Sequence, residues 1–308
     1  MRALSPLMVF GEKKMEAKEI PINSIEELDI ILNRIRNGID SVKKDLEDSE
    51  KGTWKLYFRG EAKKYDEVNA SIFRDDFLFE HEGEYLKSLL DKTNLDTSLS
   101  NLGKIQHYGG CTRLMDFTKD FNVALYFVCC EHDDEDGYIY CYDTQSITDE
   151  NSEVCKILSD FTFLPSNNLQ SDLKIIAEKY SKTTEEIKLI VSKDYFLDFD
   201  LLKKENLRMT RQEGLFLWMG DSNLAVSSCK KTKATPLSDE NGRGENYPGV
   251  VLKVIVPNYL KKEIRTYLAR PRTYTKGYLF PDEPKGTGYN FHSAERKYFE
   301  KIINCQKV

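Results

Sequence analysis

Gln106-His107-Tyr108-Gly109-Gly110-Cys111-Thr112-Arg113-Leu114-Met115-Asp116-Phe117-Thr118 mixes amide, imidazole, guanidinium, carboxylate and hydroxyl groups with glycines and large apolar residues in one short stretch. Such a mixture suits a polar site built on the ends of buried elements. Before it, Leu102 and Ile105 keep helical spacing toward His107, and Gly109-Gly110 stops that helix. After it, Phe121 to Cys130 is almost continuously apolar, which reads as a helix buried over most of its circumference and capped by Asp120. Thr112 to Thr118 then reads as the loop leading into that helix.

Two other clusters have the same character: Phe58-Arg59-Gly60-Glu61 and Arg211-Gln212-Glu213-Gly214-Leu215-Phe216. Trp54, Leu56 and Phe58 alternate with Lys55, Tyr57 and Arg59, the period of a strand, and that strand delivers Arg59 at its end. Ser24 followed by Glu27 is a capping-box pattern, so a lead helix is expected to about Arg36, with a shorter charged helix before Trp54. Phe79 to Lys92 is again helical. Asp136-Gly137 signals a turn into a strand at Tyr138-Ile139-Tyr140-Cys141-Tyr142. Residues 145 to 207 read as a polar helical insertion. Leu215 to Met219 and Val250 to Val256 are strands, the second closed by Pro257, and a helix from Tyr259 to Leu268 follows. Lys230 to Gly249 reads as an exposed loop and Ser293 to Ile303 as a last helix.

At 308 residues the chain can hold one large core or two modest ones; one elaborated domain over residues 51–308, behind a helical lead-in at 1–50, is the expectation. An aromatic content of 11%, chiefly Tyr and Phe, is ample for a packed core. The net charge of -6 gives no global attraction to phosphate polymers or anionic lipid. The basic groups Lys230-Lys231-Lys233, Lys261-Lys262 and Arg270-Arg272 have acids close by and read as a solvated face. Seven cysteines without repeated spacing point to a reducing compartment. Histidines far apart in sequence, with no zinc-type spacing of cysteines, imply no metal. The start, Met1 to Phe10, is too brief a run for a signal peptide, and the longest dense apolar stretch, Val123 to Cys130, is too short to span a membrane. A cytoplasmic protein with no membrane partner is expected.

The clusters have definite chemical capacities. The five donors of Arg59 suit a pyrophosphate or carboxylate, and Gly60 allows close approach by a ligand or a neighbouring backbone. The bland alternative is an ion pair of Arg59 with Asp116 or Glu213. Thr112, Asp116 and Thr118 supply hydrogen-bonding groups and Arg113 a second cation. His107 is either an acid-base group or a structural residue, and Tyr108 either stacks on a flat ring or packs in the core. Gln212 can orient a ligand hydroxyl and Glu213 can stabilise positive charge on a reacting sugar. If both begin a strand, only one of them points inward.

Phe58-Arg59-Gly60, the stretch from Gln106 to Gly109 with Thr112 to Thr118, Ala124-Leu125-Tyr126-Phe127 and Gln212 to Phe216 closely resemble the signatures of the FRG domain family. Gly277-Tyr278-Leu279-Phe280-Pro281-Asp282 is similar to that family's late Phe-Pro-Asp motif, so the likeness covers roughly residues 50 to 295. Gly110-Cys111, Met115 and Phe117 depart from the commoner family residues but conserve packing. The resemblance implies an α+β fold with a bent or split, mostly antiparallel sheet surrounded by helices.

The order of parts is also similar to the arginine-serine-glutamate class of ADP-ribosyltransferases, although no Ser-Thr-Ser triplet or Glu-x-Glu pair is present. That likeness implies NAD as substrate, with Arg59 gripping its phosphates. Thr112 or Thr118 would support the nicotinamide-side ribose, and Glu213 or Gln212 would hold the ribose hydroxyl. Gly60, His107, Tyr108, Arg113 and Asp116 complete the expected cofactor-binding set, and Gln212 and Glu213 are the expected catalytic residues. The implied activity is an intracellular ADP-ribosyltransferase or NAD glycohydrolase, a toxin or defence effector with a protein or nucleic-acid acceptor. The rival expectation is a non-catalytic sensor or binding module for a nucleotide or phosphate ligand. A third is that the clusters are internal ion pairs and caps.

Overall fold

The computed structural model describes residues 18–31, 33, 55–65, 68–93, 95–107, 109–144, 148–164, 169–221, 249–270 and 274–281. The expected charged helix before Trp54, Tyr108, the loop from Lys230 and the last helix at 293–303 lie outside them.

Among the described residues seven strands form one open sheet: β1 (Lys18–Pro21), β2 (Lys55–Glu61), β3 (Leu114–Thr118), β4 (Gly137–Thr144), β5 (Tyr195–Leu197), β6 (Gly214–Trp218) and β7 (Gly249–Val256). Their order is β1-β7-β4-β2-β3-β6-β5. Of these described strands only β1 and β7 are parallel neighbours; the other strand pairs are antiparallel, and an isolated parallel bridge joins Thr148 to Leu197 of β5. The fold is therefore α+β. The stretch expected as a loop, Thr112 to Thr118, is mostly the central strand β3, buried at every position but Asp116. Because both its faces are covered except at Asp116, its sequence lacks the simple apolar and polar alternation of a half-exposed strand. β2 likewise runs past Arg59 to Glu61.

The helices are α1 (residues 26–31), α2 (Asp76–Glu80), α3 (Glu82–Thr93), α4 (Leu99–His107), α5 (Phe121–Cys129), α6 (Glu153–Phe163), α7 (Leu169–Lys179), α8 (Thr184–Val191), α9 (Asp200–Glu205), α10 (Leu207–Arg211), α11 (Lys261–Ala269) and α12 (Lys276–Leu279). The expected cap of α1 shifts by one residue, because Glu27 reaches back to the backbone N–H of Asn23 at 2.9 Å rather than to Ser24. The polar stretch 145–207 holds α6 to α9, as its composition implies, and also the edge strand β5.

Successive residues of a strand face opposite ways, and β4 shows the consequence. Tyr140 and Tyr142 join a large core covered by α3, α4, α6 and α8, whereas Ile139 and Cys141 join a smaller one with α5 and α11. β2 divides likewise, with Tyr57 in the large core and Phe58 edge-on to Phe121 at 5.4 Å in the small one.

α5 fits so closely on β2 that a Cβ at Gly60 would stand 2.0 Å from the Ala124 carbonyl oxygen. Gly60 is thus needed for packing of backbone on backbone. Asp120 caps the start of α5, accepting from the Asn122 N–H at 2.8 Å. A cation meets its C-terminal carbonyl, where helix dipole and unpaired oxygens favour it, and a second binds carbonyls beyond the helix. Arg265 donates to the Cys129 carbonyl at 2.6 Å, and Lys261 donates to the carbonyls of His132 at 2.7 Å and Ala62 at 2.6 Å. Lys261 is fully buried and its pKa is lowered by that burial, so it belongs to the interior and not to a solvated basic face.

Candidate functional site

The ladder between β2 and β3 consists of the single pair Phe58↔Thr118, whereas β2 pairs with β4 along its whole length. Past Phe58 the two central strands diverge. The Arg59 side chain enters the wedge and donates from Nη1 to the Asp116 carbonyl at 2.9 Å. Its Nε donates to Glu61 Oε1 at 2.7 Å, and Nη2 lies 2.6 Å from the same oxygen. Burial works against the Arg59 charge, but the charges of Glu61 and Asp116 and the bond to Glu61 hold the guanidinium pKa above its ordinary value. The ion-pair partner is therefore Glu61, two residues along the same strand face, and not Asp116 or Glu213.

A cleft of about 460 Å³ opens at this wedge, lined among others by Arg59, Gly60, Glu61, His107, Asp116, Thr118 and Gln212. α4 reaches it because of how it ends. Gly109, at φ 87°, donates to the Gln106 carbonyl at 3.0 Å and Gly110 to the Ile105 carbonyl at 2.9 Å, a Schellman closure that leaves Gln106 and His107 at the rim. Gln106 Nε2 then donates to Asp116 Oδ2 at 2.9 Å, while Gln106 Oε1 accepts from the Thr112 hydroxyl at 2.7 Å. One short hydrogen-bonded chain thus runs from Thr112 through Gln106 to the Asp116 carboxylate. The Asp116 side chain faces outward into the cleft.

Later residues complete the lining. Gln212 and Glu213 form a turn before β6, so strand alternation does not govern them; Gln212 is right-handed helical and Glu213 has φ 43°. Gln212 lines the cleft and its Nε2 donates to the Leu279 carbonyl at 3.0 Å. Its own carbonyl accepts from the Thr118 hydroxyl at 2.7 Å, closing the turn onto the end of β3. Glu213 is exposed and does not line the cleft. Arg211 fastens the late motif by donating to the Tyr278 carbonyl at 2.9 Å. Phe280 follows α12 and lies beside Phe127 at 5.8 Å, with the Arg208 guanidinium over its ring at 4.4 Å. Tyr126, Phe127, Phe280, Arg208 and Lys276 all border the cleft.

Of the expected site residues, Arg59, Gly60, His107, Asp116, Thr118 and Gln212 meet in this one cleft. Gly60 lines the cleft, while its Cβ direction is filled by the backbone of α5. Thr112 is buried behind Gln106 and reaches the cleft only through it. Arg113 is fully buried and cannot grip a ligand: its Nε donates to Glu82 at 2.7 Å, and its guanidinium sits over Trp218 at 4.9 Å and Phe161 at 5.3 Å. Glu213 faces solvent, and Tyr108 lies outside the described residues.

In the sequence nothing marks Gln106 and Glu61 within their clusters, and Arg208 and Lys276 carry no signal beyond being basic. The aromatic wall was half visible in Ala124-Leu125-Tyr126-Phe127 and Phe280. The described acidic and imidazole groups that lie close enough to share a cation are His132, Asp134 and Glu135, in the exposed turn after α5 and outside the cleft. None of the described helices is long and apolar enough to cross a membrane.

Residues 54–137 match the family model of the FRG domain. No curated protein and no solved structure matches the chain. The matched stretch carries Arg59, Gln106, Thr112 and Asp116, the residues of the wedge and its hydrogen-bonded chain, while Gln212 and Phe280 complete the cleft from beyond it. Over residues 54–137 the chain is therefore similar to the FRG domain.

Proposed function

We propose that the cleft is a nucleotide site and that the protein uses NAD, as an ADP-ribosyltransferase or an NAD glycohydrolase. The observation that carries this reading is the meeting of Arg59, Asp116, Thr118 and Gln212, from distant parts of the chain, in one cleft of about 460 Å³ that also has an aromatic wall. That volume is within the range of small-molecule sites, about 300–1,000 Å³. Aromatic faces at Tyr126, Phe127 and Phe280 suit a flat ring, and the polar side suits a sugar and phosphates.

The chemistry asks little of the protein. Departure of nicotinamide leaves an oxocarbenium-like ribose, so catalysis consists mainly of positioning and of negative charge fixed near the sugar. The test is release of nicotinamide from NAD by the wild-type chain and its loss in Arg59→Ala. No NAD binding at millimolar concentration would remove the proposal. Mass spectrometry of the products separates free ADP-ribose, the mark of a hydrolase, from ADP-ribose joined to a protein or nucleic acid.

A second reading, a non-catalytic nucleotide or phosphate sensor, is favoured by one observation: Glu213, the expected reacting carboxylate, is exposed and does not line the cleft. Under it the wild type binds NAD or another nucleotide and releases no nicotinamide, and Arg59→Ala abolishes binding.

A further inference from the structure

The wedge between β2 and β3 presents two carboxylates to the cleft, Glu61 and Asp116, and each is oriented by a partner. Glu61 has one oxygen, Oε1, held by both Nε and Nη2 of Arg59, and its side chain is only 12% exposed. Asp116 is held differently. Its Oδ2 accepts from the neutral amide of Gln106, whose own carbonyl oxygen is fixed by Thr112. Arg59 touches the Asp116 backbone carbonyl. A guanidinium bound to a carboxylate and a backbone oxygen is a poor anchor for a pyrophosphate, which two neighbouring carboxylates would repel. Two further cations, Arg208 and Lys276, border the same cleft, and the Arg208 guanidinium lies over the Phe280 ring.

We infer that this carboxylate pair, and not Glu213, is the reacting end of the site. The ligand's sugar lies over Glu61 and Asp116, and its phosphates extend toward Arg208 and Lys276. The inference rests on the NAD reading above and adds the catalytic residues and the direction of the substrate. Glu61, its charge partly offset by Arg59, accepts the ribose hydroxyls. Asp116, bonded to a neutral amide, keeps its charge for the developing cation. As the C1′–N bond breaks, its electron pair leaves with nicotinamide, neutralising the pyridinium and placing the positive charge on the ribose. Water, or the hydroxyl or amine of an acceptor, then donates a lone pair to C1′ and loses a proton to Asp116, which passes it to solvent. Arg59 and Gln106 are positioning residues.

The experiment compares wild type, Asp116→Asn, Glu61→Gln and Glu213→Gln in nicotinamide release from NAD, with calorimetric NAD binding and thermal melting of each. The expected result is a fall in kcat of about 100-fold or more for Asp116→Asn and Glu61→Gln, the scale of losing one electrostatic contact in a transition state. NAD affinity changes less than about tenfold in both, and Glu213→Gln matches wild type. Arg59→Lys, which keeps the charge but not the fork, recovers part of the kcat that Arg59→Ala loses while KM stays the same, as a positioning role requires. Full turnover by Asp116→Asn, or loss of turnover in Glu213→Gln, overturns the assignment and leaves the NAD reading standing. A wild type that binds NAD without cleaving it overturns both. Melting and NAD binding identify a variant that has failed to fold, and Glu213→Gln decides the assignment even if the two wedge variants are unstable.

Discussion

At the scale of single residues, identical chemistry has opposite meanings depending on what surrounds it. Arg59 and Arg113 are both arginines in dense polar clusters, yet Arg59 is 18% exposed at a cleft while Arg113 is sealed with Glu82 inside a cage of aromatic rings. Removing one member of a buried pair strands a charge, at a cost of about 3–5 kcal/mol, whereas replacing both with apolar residues of similar size costs much less. Arg113→Ala and Glu82→Ala are each expected to lower unfolding free energy on that scale in urea titrations, and Arg113→Met with Glu82→Leu to recover much of the loss. Equal loss in the double and single variants would mean that the pair itself stabilises the fold. The sequence could not separate the two arginines, because both precede or follow small and apolar residues and differ only in what the third dimension places around them.

At the scale of elements, the packing of α5 on β2 depends on the absence of one side chain. Gly60→Ala puts a methyl group 2.0 Å from the Ala124 carbonyl oxygen, and both partners are backbone, so one element has to move. A loss of about 1–3 kcal/mol is expected, the usual cost of overpacking. Gly277→Ala in α12, where the added carbon meets nothing within 4 Å, is expected not to lower the melting temperature and serves as control.

A second device ties the end of β3 to the segment after β5, since Asp198 takes ion pairs from Lys119 and from Lys203 on α9. Burial pushes the Asp198 pKa up, but bonds from the two lysines outweigh it and hold the pKa below its ordinary value. A carboxylate with a lowered folded pKa stabilises fully above its unfolded value, about 3.9, and loses that contribution as pH falls through the folded value. The melting-temperature deficit of Asp198→Asn should therefore be largest near neutrality and shrink as the pH is brought from about 5 toward about 2. A deficit independent of pH would show that the charge is not what matters.

The elements themselves were largely legible. Alternating Tyr57 and Phe58, the aromatic run from Tyr138 and the glycine pair after His107 specify β2, β4 and the end of α4 through local rules of period and capping. β3 was not legible, because a strand covered on both faces and carrying Asp116 and Thr118 reads like a polar loop. β5 is three residues long and is held by its neighbour β6 rather than by its own pattern.

At the scale of the whole molecule, the cleft exists because the sheet nearly parts between β2 and β3 and because a late segment returns to close the gap. Arg59 fills the wedge, α4 brings Gln106 to Asp116, and Gln212 and Arg211 hold the backbone of residues 278–279 so that Phe280 stands against α5. The sequence names the participating clusters but not which member of each points inward. That choice is made by a turn at Glu213, a strand register at Asp116 and the close packing at Gly60, all of which depend on long-range pairing. Hydrogen–deuterium exchange with mass spectrometry, with and without NAD, tests the convergence most directly. The account predicts that peptides spanning residues 56–62, 104–118, 208–214 and 276–281 slow together, with one shared dependence on NAD concentration. Protection limited to one of these stretches, or none at saturating NAD, would contradict it.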